Sequence, residues 1–278
     1  MKPAAPTFLF SIDLEDVRMM FEGGERFAER VPAMTEKYLE FLRRHQAKAT
    51  FFVVGQTARQ YPSLIRSIAA EGHELGCHTD RHTPLTKLDL SSFRDDLSRN
   101  IEALSAAGVS RVLGFRAPIL SLVKETQWAY EVLAALGFSY SSSVLPAPNP
   151  LFGWSGFGPS PRRVSGIIEI PVTIRSGFPP RVPFGAGTYF RILPWPLIRR
   201  DFAAAARVKL PVVGYFHPYD IDTGQERFMH PGINNSWFYN QLMYIGRTRV
   251  LPRLERVMSM GWRIQPYRDF IQTLGAAA

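Results

Sequence analysis

Short apolar stretches alternate with amphipathic stretches along most of this chain, and the alternation predicts parallel strands joined by helices. Most of the apolar stretches carry few polar side chains over their whole length. This pattern is typical of strands that are buried on both faces of a parallel sheet. The predicted strands cover residues 7–13, 49–54, 73–78, 111–116, 138–142, 167–172, 211–216 and 262–266.

The amphipathic stretches predict helices between these strands. Phe93, Leu97, Ile101 and Leu104 recur at helical spacing, and Gly108 follows them as a stop signal. The predicted helices cover residues 31–45, 61–71, 91–107, 124–136, 194–207 and 234–258, and we expect the last to be kinked or broken near Pro252.

This order of elements predicts an α/β fold in a single domain, residues 1–278. Seven or eight strand–helix units are typical of a barrel or of a doubly wound sheet, and both architectures fit a chain of this length. Residues 143–190 are looser and rich in proline, glycine and aromatic residues. We expect them to form a long excursion over one rim. We find no internal repeat and no low-complexity linker.

The charge of the chain favours anionic partners. Lysine and arginine number 33 against 24 acidic residues, a net charge of +9. This excess suits phosphate-bearing sugars or an acidic membrane surface. The basic residues are dispersed, however, and no nucleic-acid-binding motif accompanies them, so we expect no nucleic-acid partner.

The sequence also carries signals of cellular location. Cys77 is the only cysteine, which excludes a disulfide within the chain and fits a reducing compartment. The apolar stretch near the first residue is interrupted by Asp13 and is too short for a secretory signal. No apolar run approaches the roughly 18 residues that a membrane span needs. We therefore expect a cytoplasmic protein.

Reactive side chains fall at the ends of four predicted strands. The stretch FSIDLEDV places Asp13, Glu15 and Asp16 after the first strand, and HELGCHTDRH places His78 and His82 after the third. Two further positions follow later strands, Arg116 in GFRAP and His217 in GYFHPYD. In a parallel barrel all strands end at the same face, and that face carries the chemistry. We therefore expect these side chains to share one cleft.

The histidine pair predicts a metal site. His78 and His82 are four residues apart, a spacing that lets two imidazoles bind one divalent ion when the segment forms a helical turn. One carboxylate from residues 13–16 would complete a set of two histidines and one carboxylate with open positions. Such a set suits catalytic zinc, with iron or cobalt as alternatives. A second carboxylate would remain free as a general base, kept ionised by Arg116, and His217 would protonate a leaving amine.

These segments, in this order, resemble the polysaccharide deacetylase family, which is also described as NodB-homology domains or carbohydrate esterase family 4. SIDLED is similar to the first acidic motif, HTDRH to the metal-binding histidine motif, FRAP to the arginine motif and YFHP to the late histidine motif. GAGTYFRILP and FHPYDID are similar to the subgroup found with exopolysaccharide and O-antigen biosynthesis. The resemblance extends over roughly residues 7–220.

The resemblance implies a distorted (β/α)7 barrel with one bound divalent ion, expected to be Zn²⁺. Asp13 takes the base position, and Arg116 would orient it. His78 and His82 take ligand positions, with Glu15 preferred as third ligand and Asp16 as the alternative. His217 would be the general acid. Ser141 stands where the subgroup has aspartate, and Ile119 and Leu120 replace an aromatic residue, so the support of the arginine and the substrate fit are expected to differ.

We therefore expect a metal-dependent hydrolase that removes an N-acyl group, expected to be acetyl, from an amino sugar of a cell-surface polysaccharide or its intracellular precursor. The substrate is free, nucleotide-linked or lipid-linked. Two rival hypotheses are an inactive carbohydrate-binding module and a cyclic amide hydrolase of the allantoinase-like branch. His230 is a candidate rim contact. Residues 236–254 mix aromatic residues with arginine and are a candidate for peripheral contact with a membrane surface.

Overall fold

A curled, mostly parallel sheet forms the centre of the computed structural model, which describes residues 5–149, 152–175 and 181–275. Its strands are β1 Thr7–Leu14, β2 Thr50–Val53, β3 Glu74–Cys77, β4 Gly114–Phe115, β5 Tyr140–Ser141, β6 Arg162–Val164, β7 Ile167–Glu169, β8 Val212–Phe216 and β9 Arg263–Ile264. The order across the sheet is β6-β7-β5-β4-β3-β2-β1-β8, and β9 pairs with β1. β6 and β7 are antiparallel, and the other pairs are parallel.

Helices follow most strands and cover the outer face of the sheet. They are α1 Val31–Arg44, α2 Gly55–Gln60, α3 Pro62–Ala70, α4 Leu90–Ala106, α5 Ala129–Ala135, α6 Gly187–Ile192, α7 Trp195–Arg207, α8 Trp237–Tyr244, α9 Val250–Ser259 and α10 Tyr267–Gly275. α4 is capped by Asp89, whose carboxylate accepts a hydrogen bond from the Ser92 N–H in a reciprocal capping box. Over the described ranges, no helix combines the length and apolar character that crossing a bilayer requires.

The alternation of side chains along β1 divides the helix-facing core from the interior of the sheet. Phe8 and Phe10 point outward into the largest apolar cluster, with residues of α1, α7 and α9. Successive side chains of a strand point to opposite faces, so Leu9, Ser11 and Asp13 point inward. Accordingly, Leu9 packs in a different apolar cluster, and both Ser11 and Asp13 contact Arg116. The sequence of β1 thereby places a carboxylate inside the curl of the sheet.

The Thr173 side chain forms hydrogen bonds between the sheet and the segment that would close it. The Thr173 hydroxyl accepts a hydrogen bond from the Val213 N–H at 2.8 Å and donates to the Pro211 carbonyl at 3.1 Å. Among the described residues, this hydroxyl substitutes for a backbone ladder between residues 170–174 and β8. The barrel is therefore distorted at this seam.

The predicted fold class is confirmed, since the curled parallel sheet with helices on its outer face is that of a distorted (β/α)7 barrel in one domain. Most strands are shorter than predicted, whereas β1 extends one residue further, to Leu14. The predicted excursion at 143–190 includes residues 150–151 and 176–180, which lie outside the described part. Its described part contains the antiparallel hairpin of β6 and β7, which the apolar pattern did not reveal because β6 is exposed.

The predicted helix over 234–258 is broken, as expected, but the break does not lie near Pro252. It divides into α8 and α9, and the break lies at Ile245 and Gly246, where Gly246 has φ +73°. Pro252 lies in the first turn of α9, where its missing N–H has no helical partner to lose. The prediction also missed α2, α6 and α10, which are short.

Candidate metal centre and active site

The four strand ends expected to carry chemistry meet in one cleft of about 590 Å³. Asp13 lies at the end of β1, His78 directly after β3, Arg116 directly after β4 and His217 directly after β8. The cleft is of the size that small-molecule sites usually have. Asp13, His78 and His217 line it directly, and Arg116 lies beneath them with no exposed surface.

Glu15, His78 and His82 form a group that fits one metal ion. Their candidate ligand atoms all lie within 4.8 Å of one another. His82 Nε2 is 2.8 Å from Glu15 Oε2, yet this buried oxygen receives no hydrogen bond of acceptable geometry from any described residue. His82 Nε2 and Glu15 Oε2 therefore lie close together without a hydrogen bond between them, which is the arrangement of two ligands that bind the same cation. Two imidazoles and one carboxylate are a donor set that occurs in catalytic zinc and iron sites.

The backbone around the two histidines is held in a rare conformation. Thr79 has φ +61° and His82 has φ +55°, in the left-handed region that non-glycine residues seldom adopt. The Asn100 amide donates to the Thr79 carbonyl at 2.6 Å and to the Val53 carbonyl at 2.8 Å, which ties the turn to the sheet. Strain of this kind clusters at functional sites, where the surrounding structure maintains it.

The orientation of His78 is fixed by its second ring nitrogen. Nδ1 donates to the Arg116 carbonyl at 2.8 Å, so Nε2 faces the cleft, 4.0 Å from Glu15 Oε2 and 4.0 Å from Asp13 Oδ2. Burial lowers the pKa of His78 to about 4. The imidazole is therefore neutral at ordinary pH, the state that a metal ligand must have.

The charge of Glu15 is maintained by its neighbours. Burial alone would raise the pKa of this carboxyl, but His82, His217 and His78 lower it to about 2. Glu15 is therefore ionised across the ordinary pH range although it is 5% exposed.

Asp16 lies in a different environment. Its carboxylate accepts hydrogen bonds from Arg18 Nη2 at 2.6 Å and from the Tyr61 hydroxyl at 3.0 Å, and it caps the turn that starts at Val17. Both of its oxygens serve these contacts, and the geometry places Glu15 rather than Asp16 with the histidines. Of the two predicted third ligands, the structure favours Glu15.

Arg116 holds Asp13 in a fully buried ion pair. Nη1 donates to Asp13 Oδ1 at 2.7 Å and to the Ser11 hydroxyl at 2.7 Å. The remaining donors reach Ser142, through its carbonyl and hydroxyl, and the Tyr267 hydroxyl. Asp13 Oδ1 is therefore committed to Arg116, whereas Oδ2 faces the cleft, 4.0 Å from His217 Nε2.

Ser141 stands where the sequence analysis expected an altered support for Arg116. Arg116 has no hydrogen bond to Ser141 among the described residues, and the Ser141 hydroxyl donates to the Ser143 hydroxyl at 2.7 Å. Ser142, one residue further, provides the support instead. Tyr267 comes from α10, and its role has no signal in the local sequence.

His217 is oriented by an aspartate that the sequence analysis did not single out. Asp220 Oδ2 accepts hydrogen bonds from the His217 ring Nδ1 at 2.9 Å and from its backbone N–H at 2.8 Å. Asp220 Oδ1 lies 3.1 Å from Arg191 Nε, and both side chains are fully buried. His217 Nε2 consequently faces the cleft, 3.7 Å from Glu15 Oε1.

The pKa of His217 is raised by this arrangement. Burial alone would lower it, but the carboxylates of Glu15, Asp220 and Asp13 raise it to about 9. The imidazole therefore carries its second proton at neutral pH. The signals for its supports were present in the motifs FHPYDID and GAGTYFRILP, where Asp220 and Arg191 stand. Gly187 belongs to the same arrangement, because a Cβ there would lie 2.0 Å from Asp220 Oδ2.

Two family models match the chain, one over each half. Residues 15–140 match the model described as polysaccharide deacetylase, and residues 142–265 match a domain of unknown function, DUF3473. The boundary between the two falls within β5, and the sheet continues across it. The first region contains Glu15, His78, His82 and Arg116, and the second contributes His217.

Characterised relatives and solved structures are similar in different ways. A peptidoglycan-N-acetylglucosamine deacetylase from Bacillus cereus is 33% identical over 98 residues, 35% of this chain and 36% of that protein. The crystal structure of a candidate polysaccharide deacetylase from Mycobacterium smegmatis aligns with a TM-score of 0.66 at 21% identity, over 100% of this chain and 96% of that chain. A CE4 family pseudoenzyme from Bacillus anthracis aligns with a TM-score of 0.53 at 13% identity, over 96% of this chain and 66% of that chain. The structural likenesses support the fold.

Proposed function

We propose that this chain is a metal-dependent hydrolase that removes an N-acetyl group from an amino sugar. Its residues 15–140 match the model described as polysaccharide deacetylase. The observation that carries the proposal is the convergence of three functions in one cleft. Glu15, His78 and His82 form the metal-binding group, Asp13 offers a free carboxylate oxygen, and His217 offers a proton.

The side chains divide the chemistry of amide hydrolysis between them. A bound divalent ion, for which we propose Zn²⁺, would supply Lewis-acid activation of water and of the amide carbonyl. Asp13 Oδ2 accepts a proton from the attacking water, while Arg116 keeps the carboxylate in position. His217 donates its Nε2 proton to the amine nitrogen as the carbon–nitrogen bond breaks. The products are acetate and the free amino sugar.

The charge of the cleft rim supports an anionic form of the substrate. Arg81 and Lys87 line the cleft and are exposed, and neither has an acidic partner among the described residues. We propose that they bind a phosphate of a nucleotide- or lipid-linked precursor of a cell-surface polysaccharide, as in exopolysaccharide or O-antigen synthesis in the cytoplasm. Activity on a nucleotide-linked sugar should then fall with salt more steeply than activity on a neutral oligosaccharide.

Exposed aromatic residues near the cleft support a peripheral membrane contact. Trp237, Phe238 and Tyr239 on α8 are 70%, 63% and 51% exposed. Such residues in a basic chain suit the interface of an anionic bilayer. We propose this contact as the means by which a lipid-linked substrate is reached. The wild type should co-sediment with anionic vesicles, and Trp237→Ala should not. Neither protein should co-sediment with neutral vesicles.

The function is tested by metal content and by acetate release. The purified protein should hold about one divalent ion per chain, and it should release acetate from the tetramer of N-acetylglucosamine or from a nucleotide-linked N-acetyl sugar. Asp13→Asn is the control, because it should keep the metal and lose activity by about 10²- to 10⁴-fold. A metal-loaded wild-type protein that binds these sugars without releasing acetate would instead be a carbohydrate-binding module, and the proposal would fail.

A further inference from the structure

His230 lies on the wall of the cleft, outside the groups described so far. The residue is 2% exposed, and its ring packs edge-on against Tyr219 at 5.2 Å between centroids. Tyr219 in turn stacks on His217, with 4.5 Å between centroids and an angle of 9° between the planes. One aromatic ring therefore separates His230 from the proposed general acid.

The backbone that carries His230 is held by side chains of α8. The His230 N–H donates to Asn240 Oδ1 at 3.0 Å, and Asn240 Nδ2 donates to the Phe228 carbonyl at 3.1 Å. The Tyr244 hydroxyl accepts a hydrogen bond from the Phe228 N–H at 2.9 Å. Residues 228–230 are thus fixed on both sides of the histidine, and its ring position is built into the fold.

The buried Nε2 of the ring has no hydrogen-bond partner among the described residues. The ring packs against Phe228 at 5.0 Å and Tyr244 at 5.3 Å. Burial lowers the pKa of His230 to about 3, so the imidazole is neutral. A buried polar group without a partner lowers stability, which the fold tolerates more readily where a ligand supplies the missing bond.

We infer that His230 is a specificity-determining residue that binds a hydroxyl group of the glycan substrate. A neutral imidazole has one N–H donor and one nitrogen acceptor, and a sugar hydroxyl offers the complementary acceptor and donor. A phosphate or carboxylate would instead call for a cation, as Arg81 and Lys87 provide at the rim. This inference rests on the proposed function, because it places a glycan in the cleft.

The test replaces the ring by one of similar shape without nitrogens. His230→Phe keeps an aromatic ring among Tyr219, Phe228 and Tyr244, so the melting temperature should stay equal or rise. The loss should appear in binding, with the KM of the metal-loaded enzyme for the N-acetylglucosamine tetramer raised about tenfold, the equivalent of one hydrogen bond. Calorimetric titration of the metal-free protein with the same tetramer should show a similar loss of affinity. His230→Gln, which can donate and accept, should recover part of it.

A matched control is available in His73, which is also buried and also has an unpartnered Nε2 but does not line the cleft. His73→Phe should leave KM unchanged. Equal KM and equal affinity in wild type and His230→Phe would overturn the inference, as would a lower melting temperature with unchanged affinity. If the wild type neither binds nor hydrolyses an N-acetylated sugar, the proposed function fails and this inference fails with it.

Discussion

The pair of His217 and Asp220 allows a quantitative prediction for Asp220→Asn. Asp220 is the only one of the carboxylates acting on His217 that also accepts a hydrogen bond from its ring, among the residues described. The substitution keeps an oxygen for that hydrogen bond but removes the charge. Arg191 retains other partners, including the carbonyls of Met243 and Ile245 and the Thr188 hydroxyl, so the fold should persist.

The size of the effect follows from the surroundings of His217. Its pKa lies at about 9 against an ordinary value of 6.5, and three carboxylates share this increase against burial. An opposite charge in contact shifts a pKa by about one to three units. We therefore expect the pKa of His217 to fall by about one to two units in Asp220→Asn, which corresponds to about 1.4–2.7 kcal/mol.

The direction of the kinetic effect is determined by the role of His217. A general acid must carry its proton, so the rate falls as the pH rises through its pKa. A lower pKa moves this basic limb of kcat/KM to lower pH, by the same one to two units. NMR titration of the imidazole in the metal-free protein measures the pKa directly, and the pH dependence of kcat/KM measures its consequence.

Asp222→Asn is the matched control, because Asp222 is buried nearby but pairs with Arg30 rather than with His217. The control should leave the pKa of His217 unchanged within a few tenths of a unit. An unchanged pKa in Asp220→Asn, or an equal shift in both variants, would refute the reasoning that the Asp220 charge sustains the acid.

Three further predictions concern the metal, the ion pair and the acid. Glu15→Gln should lose most of the bound metal in elemental analysis, whereas Asp16→Asn should keep it and lower the melting temperature; equal retention would contradict the assignment. Arg116→Ala leaves Asp13 buried and unpaired, so the free energy of unfolding measured in denaturant should fall by about 3–5 kcal/mol, and a loss under about 1 kcal/mol would argue against the pair. His217→Ala should lower kcat/KM by about 10²- to 10⁴-fold on an acetamide and less on an acetate ester, which has the better leaving group; equal losses would exclude protonation of the amine.

Much of the architecture could be predicted because local patterns determine it. Strands such as Thr50–Val53 are buried on both faces and mostly apolar, and α4 has a clear cap, an apolar stripe and a stop signal. The exposed strand β6 and the six-residue helices α2 and α6 lack such patterns. α10 does have an apolar stripe, Tyr267, Phe270, Ile271 and Leu274, which the sequence analysis overlooked. The break before α9 was misplaced because proline is a strong signal in sequence, although its first-turn position makes it harmless.

The candidate site could be predicted as a set of residues but not as a network. Strand ends identify Asp13, His78, Arg116 and His217, because the topology brings those ends together. The choice between Glu15 and Asp16 as metal ligand depends on Arg18 and Tyr61, because both side chains donate hydrogen bonds to Asp16. Ser142 and Tyr267 support Arg116 from distant positions in the chain, and no local pattern signals such partners.

The position of β1 in the sheet has a consequence for how the protein is made. One edge of β1 pairs with β2, which follows soon after it, but the other pairs with β8, and the Ser11 hydroxyl donates to the Gly214 carbonyl across 203 residues of sequence. At about 5–20 residues per second, roughly 10–40 s of synthesis separate these two residues. Through most of this interval the nascent chain already contains Glu15, His78 and His82, while one edge of β1 has no native partner. An unpaired edge invites pairing with another chain, so we expect slower growth or chaperone supply during expression to determine the yield of active protein.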